Sequence, residues 1–427
     1  MTAVGTATSR PVWVWLPEST APVRCGTFTW RSGAGEFVYD SAYPTLTGAF
    51  PLDPVQIPFA RAGRVYRETR QDGVFGVLRD ASPEGYGLAL LEASQGRELS
   101  PLDRLEAALG DGAGALEVCE GITGKIAFEP MASSDLRELL AQLPETAQAS
   151  RAVRQAHGMQ GTTLGGERPK MTVLHHAQQW IAKLRERGDA HNSPLREHLA
   201  MRAAQACGVH TARVEFLQAG AHPVLLVERF DRFVQADGKV RRRGYASAHT
   251  LLGLDSMATR GTAGRSYPYL AAELQRWCGA DDTDVAAMQR ELWRRMAFNA
   301  LCGNGDDHPR NHGVRHVGRW ELAPAFDISP YPRFNGYLAM RVTRDGHSDA
   351  ARWALMRDCE SFHYTEDEAR AYLDAAPGQL VDAWERERAG LGFRAEDAPT
   401  PAVETWFNTP APADLAPKRY PRARRKR

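Results

Sequence analysis

One loop of this sequence holds a high density of side chains that can take part in chemistry. The segment from Gly303 to Gly313 reads GNGDDHPRNHG, with two carboxylates, two histidines and two asparagines directly after a helical pattern. Polar loops anchored on a rigid element are frequent places for catalytic residues. In phosphoryl transfer, an aspartate accepts the proton of the attacking hydroxyl and a following asparagine can turn back to bind metal. The spacing predicts Asp306 as the catalytic base and Asn311 as a metal ligand.

A further carboxylate follows shortly after this loop. The stretch GVRHVGRWEL predicts a hairpin, and LAPAFDISP after it predicts a strand that ends at Asp327. In protein kinases the second metal ligand arrives by the same route, because both acidic groups must converge on the β- and γ-phosphates. We therefore predict Asp327 as the other metal ligand. Asp307 is interpreted as a turn residue or a supporting partner, since adjacent side chains in a loop usually point apart.

Upstream, a lysine and a glutamate could complete such a site. Lys183 lies in the strand-like run WIAKL after a Gly-Gly loop, so its ammonium could reach the α- and β-phosphates. Glu197, in the first turn of the next predicted helix, could hold Lys183 by an ion pair. The alternatives are a solvated strand lysine and a glutamate that merely favours a helix N-terminus.

Two other segments could contact a nucleotide. The loop TTLGGERPK could fold over phosphates through its backbone N–H groups, with Arg168 and Lys170 adding positive charge. In VERFDR, the backbone from Glu228 to Phe230 could pair with the edge of adenine. The alternative for VERFDR is a strand end with an exposed Asp–Arg pair.

Composition indicates a folded protein of several lobes. The chain has 427 residues, a length that exceeds the usual size of one hydrophobic core. Of these residues, 43% are hydrophobic and 25% are charged, and this composition excludes a disordered or fibrous protein. The net charge of +1 gives no reason to expect nucleic acid or a membrane as the main partner. The end, KRYPRARRKR at 418–427, could attract an acidic partner or form a solvated tail. The six cysteines have no metal-site or redox spacing, and no signal peptide or membrane-spanning stretch is evident, which predicts a cytoplasmic protein.

Patterns along the chain predict an α+β fold in three parts. Short apolar runs between 12 and 40 predict a small antiparallel sheet, and the segment 160–232 reads as loop, hairpin, helix and hairpin. Further on, Val285, Met288, Leu292 and Met296 mark one face of a helix that ends at Gly303. We place boundaries at 1–128, 129–235 and 236–398, followed by a Pro-rich tail or strapped arm at 399–427.

With these residues in view, the sequence resembles the HipA family of bacterial toxin serine/threonine kinases. The opening sheet, GVFGVLRDASPEGYG, TLGGERPK, WIAKL, LLVERFDR, GNGDDHPRNHG and LAPAFD occur in the order of the family. The resemblance implies Asp306 as catalytic base and Asp327 as magnesium ligand. The ATP-binding residues that it implies are Gly165, Gly166, Glu167, Arg168, Pro169, Lys170, Lys183, Glu228, Arg229, Phe230, His308, Pro309, Arg310, Asn311, Phe326 and Asp327.

The same resemblance implies a two-lobed, kinase-like fold with an additional β-rich N-terminal subdomain. It also implies ATP and Mg²⁺ as cofactors, a helix-turn-helix antitoxin as partner, DNA only through that antitoxin, and a translation protein such as an aminoacyl-tRNA synthetase as substrate. The family's self-inactivating serine corresponds here to Thr163, preceded by Thr162, which leaves autophosphorylation open. Arg310 stands where the family often has lysine, so the charge is kept.

Two rival interpretations remain open from the residues alone. Asp306, Asp307, His308 and His312 could form a metal cluster that hydrolyses phosphate esters. Alternatively, the chain could keep the kinase fold but serve only as a binding module that holds an antitoxin on DNA.

Overall fold

The N-terminal part of this computed structural model contains an antiparallel sheet with short helices. The structure describes residues 7–157, 166, 168–185, 189, 192–255, 261–279, 284–331, 333–413 and 415. The elements of this part are β1 (Thr8–Val14), β2 (Val23–Arg31), β3 (Ala34–Tyr39), β4 (Tyr66–Glu68), α1 (Gly76–Asp80), α2 (Gly85–Gln95), α3 (Pro101–Ala107), β5 (Leu116–Val118) and α4 (Thr123–Ile126), with 3₁₀ turns at Tyr43–Thr45 and Gln71–Gly73. The predicted sheet is confirmed, in the order β4-β3-β2-β1-β5, and it includes β4 and β5, which were not predicted.

The middle part forms a second five-stranded sheet with helices on both faces. Its elements are β6 (Met131–Ala132), α5 (Ser133–Ala141), α6 (Ala149–His157), β7 (Lys170–His175), β8 (Gln178–Leu184), α7 (Ser193–Ala206), β9 (Val214–Ala219) and β10 (His222–Glu228), in the strand order β6-β7-β8-β10-β9. The predicted order of hairpin, helix and hairpin is confirmed. In β10, Val224 and Leu226 join a core with α5 and α6, whereas Leu225 and Val227 join the core that contains α7. This alternation follows from the two-residue period of a strand and explains why β10 is apolar almost throughout.

The C-terminal part is mainly helical, with short strands between the helices. Its elements are β11 (Arg232–Val234), β12 (Val240–Arg242), β13 (Gly244–Ser247), α8 (Ala248–Leu251), α9 (Tyr267–Cys278), α10 (Val285–Cys302), β14 (Gly313–His316), β15 (Trp320–Leu322), α11 (Arg352–Arg357) and α12 (Glu366–Gly390), with 3₁₀ turns at Pro309–Asn311, Cys359–Phe362 and Val403–Thr405. The predicted face of α10 is buried, and the helix ends at Gly303, whose φ of 74° suits a left-handed C-terminal glycine.

Two details of the C-terminal part differ from or refine the predictions. No strand ends at Asp327: in this described stretch, Ala325 forms only an isolated bridge to Thr211, because no neighbouring strand runs alongside to extend the ladder. Of the predicted tail, the first part is a strapped arm, since Trp406 donates its indole N–H to the carbonyl of Ala300 and Phe407 is buried. Residues 418–427 lie outside the described part.

The N-terminal sheet and the helical part share one hydrophobic core, so the boundary proposed at 128 does not coincide with a break in packing. The domain boundaries therefore stay predictions. The six cysteines are all buried and free, in agreement with the expected structural thiols. Among the described residues, no helix has the length and apolar character needed to cross a membrane.

Candidate active site

A cleft of about 1100 Å³ collects predicted residues from the middle and C-terminal parts of the chain, and residues of the N-terminal part also line it. Its lining includes Gly166, Arg168, Pro169, Lys170, Lys183, Glu197, Glu228, Arg229, Phe230, Asp306, His308, Pro309, Arg310, Asn311, Phe326 and Asp327. The predicted residues Thr162, Thr163, Gly165 and Glu167 lie outside the described residues. A concave site that gathers charged groups from several elements is the usual form of an active site.

Lys183 forms ion pairs with two carboxylates that also line this cleft. Its Nζ lies 2.6 Å from Oε1 of Glu197 and 2.6 Å from Oδ1 of Asp327. Burial acts against the charged ammonium, but Asp327 and Glu197 outweigh it and raise the pKa of Lys183 above its ordinary value. Burial likewise acts against the charged form of Asp327, but Lys183 and Lys170 hold the pKa of this carboxyl well below its usual range. Lysine and aspartate therefore remain charged at neutral pH.

Lys170 lies directly opposite Lys183 in the β7–β8 hairpin. Like charges directly opposite each other destabilise a strand pair, so this arrangement needs anions nearby. Burial, assisted by Lys183, lowers the pKa of Lys170 below its ordinary value. Gly166 covers this lysine with a φ of 117°, and a Cβ at that position would lie 2.4 Å from Lys170 Nζ. Residues with a side chain rarely adopt such a positive φ, so the backbone conformation at this position favours glycine.

Asp327 adopts a backbone conformation that few residues with side chains adopt. Its φ is 59°, in the left-handed region, where aspartate is tolerated better than most residues. Such strain persists where the surrounding structure holds it, and it clusters at functional sites. The conformation directs the carboxylate to Lys183 in the cleft.

The loop after α10 contributes Asp306 and Asn311 to the lining of the same cleft. Asp306 is exposed, which suits a base that must meet an acceptor from solvent. Asn311 Nδ2 donates to the carbonyl of Asp306 at 3.3 Å, and this leaves the side-chain oxygen as the atom available for a cation. Mg²⁺ prefers oxygen ligands, so the carboxylate of Asp327 and the amide oxygen of Asn311 fit that ion.

Asp307, next to the predicted base, is buried beneath the loop. Its Oδ1 lies 2.7 Å from Nε2 of His312, and its Oδ2 accepts a hydrogen bond from the Tyr267 hydroxyl. Asn299 Nδ2 donates to the same hydroxyl at 3.1 Å. Asp307 therefore supports the loop, as interpreted from the sequence. Within the described residues, Asp306, Asp307, His308 and His312 are not grouped closely enough to count as a metal-binding cluster.

Replacing Tyr267 with phenylalanine is expected to lower the free energy of unfolding by about 1–3 kcal/mol, because the buried Asp307 carboxylate loses a donor. Urea denaturation of the full chain measures this change. Tyr337→Phe is the matched control, since Tyr337 is 48% exposed and should change stability little. Equal stability of both variants would show that the Tyr267 hydroxyl does not support Asp307.

Just after the C-terminal end of β10, one backbone N–H group can donate a hydrogen bond to a ligand. The N–H groups of Glu228 and Arg229 already donate to the carbonyls of Arg213 and Gln179. The N–H of Phe230 has no partner within the described part of the chain, and its ring lies 5.4 Å from that of Phe326. Of the predicted backbone contacts from Glu228 to Phe230, only the N–H of Phe230 is therefore a candidate donor to adenine. The rings of Phe230 and Phe326 lie beside it.

The Arg229 side chain belongs to a buried ion-pair network. Its guanidinium contacts Asp231 at 2.8 Å and donates to the carbonyls of Asp111 and Gly112. Asp231 also accepts from the N–H of Gly114 at 2.8 Å and pairs with Arg232. The interpretation of VERFDR as an exposed Asp–Arg pair is wrong, since these charges are buried against the N-terminal part.

Residues of the N-terminal part also reach the cleft, and they were not predicted from the sequence. Glu84 pairs with Arg310 of the loop after α10 at 2.6 Å, and the N–H of Tyr86 donates to the carbonyl of Gly166 at 2.9 Å. Both lie at the start of α2, in a segment that contributed to the family resemblance. A local pattern could mark this helix but not its partners, which lie far away in sequence.

Together, the fold and the cleft define a two-lobed, kinase-like protein with an additional N-terminal sheet. A family model described as the HipA-like C-terminal domain matches residues 162–384, and the HipA N-terminal domain matches residues 14–119. The chain belongs to the HipA family.

Named relatives are similar over parts of the chain. A Sinorhizobium fredii protein named "Putative kinase Y4mE" is 31% identical over 153 residues, which cover 34% of this chain and 35% of the relative. The serine/threonine-protein kinase toxin HipA of Shewanella oneidensis is 25% identical over 209 residues, covering 42% and 46% respectively. The chain thus spans less than half the length of either of these relatives.

A solved structure resembles the fold over most of its length. It is the Shewanella oneidensis MR-1 complex of HipA, HipB and operator DNA, with a TM-score of 0.64 and 19% sequence identity. The match covers 88% of this chain and 90% of that chain. At this identity the likeness supports the shared fold.

Proposed function

We propose that this protein is an ATP- and Mg²⁺-dependent serine/threonine protein kinase. One observation carries the proposal: the opposed pair of Lys170 and Lys183 lies in a cleft with Glu197 and Asp327. Cations gathered in this way suit a triphosphate, whose charge would offset the repulsion between them. The match to relatives that are named as kinases supports the same activity.

Each of the proposed site residues has a separate role in phosphoryl transfer. Lys183 and Lys170 hold the phosphates, and the Phe230 backbone meets the adenine edge. Asp306 orients the acceptor hydroxyl and takes its proton as the hydroxyl oxygen bonds to the γ-phosphorus and the bond to ADP breaks. Asn311 and Asp327 would hold Mg²⁺, which neutralises charge on the phosphates when bound.

The biological setting follows from the family. We propose a toxin of a toxin–antitoxin pair that acts in the cytoplasm on a translation protein, an aminoacyl-tRNA synthetase being one candidate. A helix-turn-helix antitoxin would be its partner and its link to operator DNA, consistent with the HipA, HipB and DNA complex that shares the fold. Thr163 or Thr162 would be the site of any autophosphorylation.

The first test is transfer of labelled γ-phosphate from ATP with Mg²⁺, onto the protein itself and onto proteins of a cell extract. Labelled serine or threonine in an acceptor is the expected result. ATP binding without label in any protein would instead support the binding-module interpretation. Phosphate release from esters without ATP would support a phosphohydrolase.

Replacing Lys183 with methionine is expected to lower the rate of transfer by about 10²- to 10³-fold, because one fixed donor to the phosphates is lost. The same labelled-phosphate assay measures the rate. Lys239→Met, at an exposed lysine outside the cleft, is the control and should keep the wild-type rate. Thermal unfolding of both variants separates lost chemistry from lost fold, and an unchanged rate in a folded Lys183→Met protein would contradict the assignment.

A further inference from the structure

A cluster of two imidazoles and a carboxylate lies at the far end of the hairpin that carries Lys170 and Lys183. His175 Nε2 is 2.9 Å and His176 Nε2 is 3.7 Å from the same oxygen, Oε2 of Glu215. Within the described residues, this is the one group of three such side chains whose ligand atoms all lie within 4.8 Å of one another. We propose that His175, His176 and Glu215 form a binding site for a transition-metal ion of the Zn²⁺ type.

Two of the separations between ligand atoms are close to those of a tetrahedral metal site. Zn²⁺ binds imidazole nitrogen and carboxylate oxygen at about 2.0–2.2 Å, which places neighbouring ligand atoms about 3.3 Å apart. The two measured separations from Glu215 Oε2, 2.9 and 3.7 Å, lie on either side of that value. All three ligand atoms lie within 4.8 Å of one another, so the side chains would close around an ion placed between them. Imidazole and carboxylate together also suit Zn²⁺ better than Mg²⁺ or Ca²⁺, which take oxygen ligands.

The backbone at His176 gives a second, independent observation. Adjacent residues of a strand point to opposite faces, so consecutive histidines share a ligand only where the chain leaves the strand. His176 and Ala177 form the two-residue turn between β7 and β8, with φ values of 47° and 58°. This turn geometry favours Asn-Gly, yet the sequence has His-Ala. The turn brings the two imidazole rings to a centroid distance of 4.0 Å.

A neighbouring hydroxyl orients His175, whereas the side chain of His176 is exposed to solvent. Ser133 Oγ lies 2.7 Å from His175 Nδ1, the hydrogen bond that fixes a ligand histidine so that Nε2 faces the metal. Parallel pairing of Ala132 with Leu174 explains why Ser133 lies beside His175. The His176 side chain is 69% exposed, so a fourth ligand could come from solvent. Arg213 approaches the other oxygen, Oε1 of Glu215, at 3.7 Å.

Such an ion would tie the turn of the β7–β8 hairpin to β9 and so brace the sheet that carries both lysines. The site does not depend on the proposed kinase activity, since its ligands lie outside the cleft lining. Binding can therefore be measured without any transfer assay.

The test titrates Zn²⁺ into the full-length, chelator-treated protein by calorimetry, with Co²⁺ absorption as a second readout of coordination. His176→Asn removes an imidazole but keeps a residue that tolerates positive φ. His363→Asn is the matched control, because His363 has a φ of 62° and hydrogen-bonds Gln289 outside the cluster.

We expect the wild type and His363→Asn to bind one Zn²⁺ ion with the same affinity. His176→Asn and Glu215→Gln should lose that binding, and Ser133→Ala should weaken it by about 10- to 100-fold, the usual effect of removing the hydrogen bond behind a ligand. Equal affinity of His176→Asn and wild type, or no saturable binding by the wild type, would overturn the proposal. The cluster would then be an ordinary His175–Glu215 hydrogen bond.

Discussion

Replacing Asp306 with asparagine is expected to lower the rate of phosphoryl transfer by about 10²- to 10⁴-fold, the usual contribution of a general base. The affinity for ATP should change little, because Lys170, Lys183 and Asp327 remain in place in the lining of the cleft. Asparagine keeps the size of the side chain, so the loop should keep its conformation. The rate is measured with labelled ATP, and the affinity is measured separately by calorimetry.

Two control variants help to separate a catalytic role of Asp306 from a structural one. Asp382→Asn changes an exposed aspartate of α12 and should keep the wild-type rate. Asp307→Asn alters the buried neighbour that contacts Tyr267 and His312, so it should lower stability as well as rate. A normal rate in Asp306→Asn would remove the residue from the role of base. Lost ATP binding would instead make it a nucleotide ligand.

Replacing Asp231 with asparagine is expected to lower the free energy of unfolding by about 3–5 kcal/mol, since removing one partner of a buried ion pair leaves uncompensated charge. Here the guanidinium groups of Arg229 and Arg232 would both lose their carboxylate. Asparagine keeps a single side-chain oxygen, so the N–H of Gly114, which ties the N-terminal part to the end of β10, would compete for it with both guanidinium groups. Urea unfolding at neutral pH measures the change.

The pH dependence of this effect has a defined sign. Burial acts against the charged form of Asp231, but Arg229 and Arg232 hold the pKa of its carboxyl well below the usual range. A carboxyl whose pKa is depressed by folding contributes stability above its unfolded pKa of about 3.9 and loses that contribution as pH falls further. The difference between wild type and Asp231→Asn should thus be full at pH 7 and shrink below about pH 4.

A surface pair provides the comparison for Asp231. Asp237 contacts Arg241 at 2.8 Å, but its side chain is 43% exposed. Water and salt screen such pairs, so Asp237→Asn should change stability far less. Similar losses in both variants would show that burial of the Asp231 network is not what stabilises the contact with the N-terminal part.

The sequence alone indicated most of the elements that surround the cleft. The face of α10, its end at Gly303 and the β7–β8 hairpin could be predicted because their signals are local: periodic apolar residues, a left-handed glycine and alternating strands. The spacing between Asp306 and Asn311 could also be recognised from the sequence, because both residues lie in one short loop. Their assignment to catalysis stays a prediction that the proposed variants test.

What only the tertiary structure decided concerns partners that are distant in sequence. Register in the β7–β8 hairpin places Lys170 opposite Lys183, and packing brings Tyr267 beneath Asp307. Three-residue strands such as β4 and β5 carry too few residues for a periodic signal, so their pairing depends on neighbouring strands. The sequence pattern also cannot show that Arg229 turns toward Gly112, since local periodicity reports which face is buried and not what covers it.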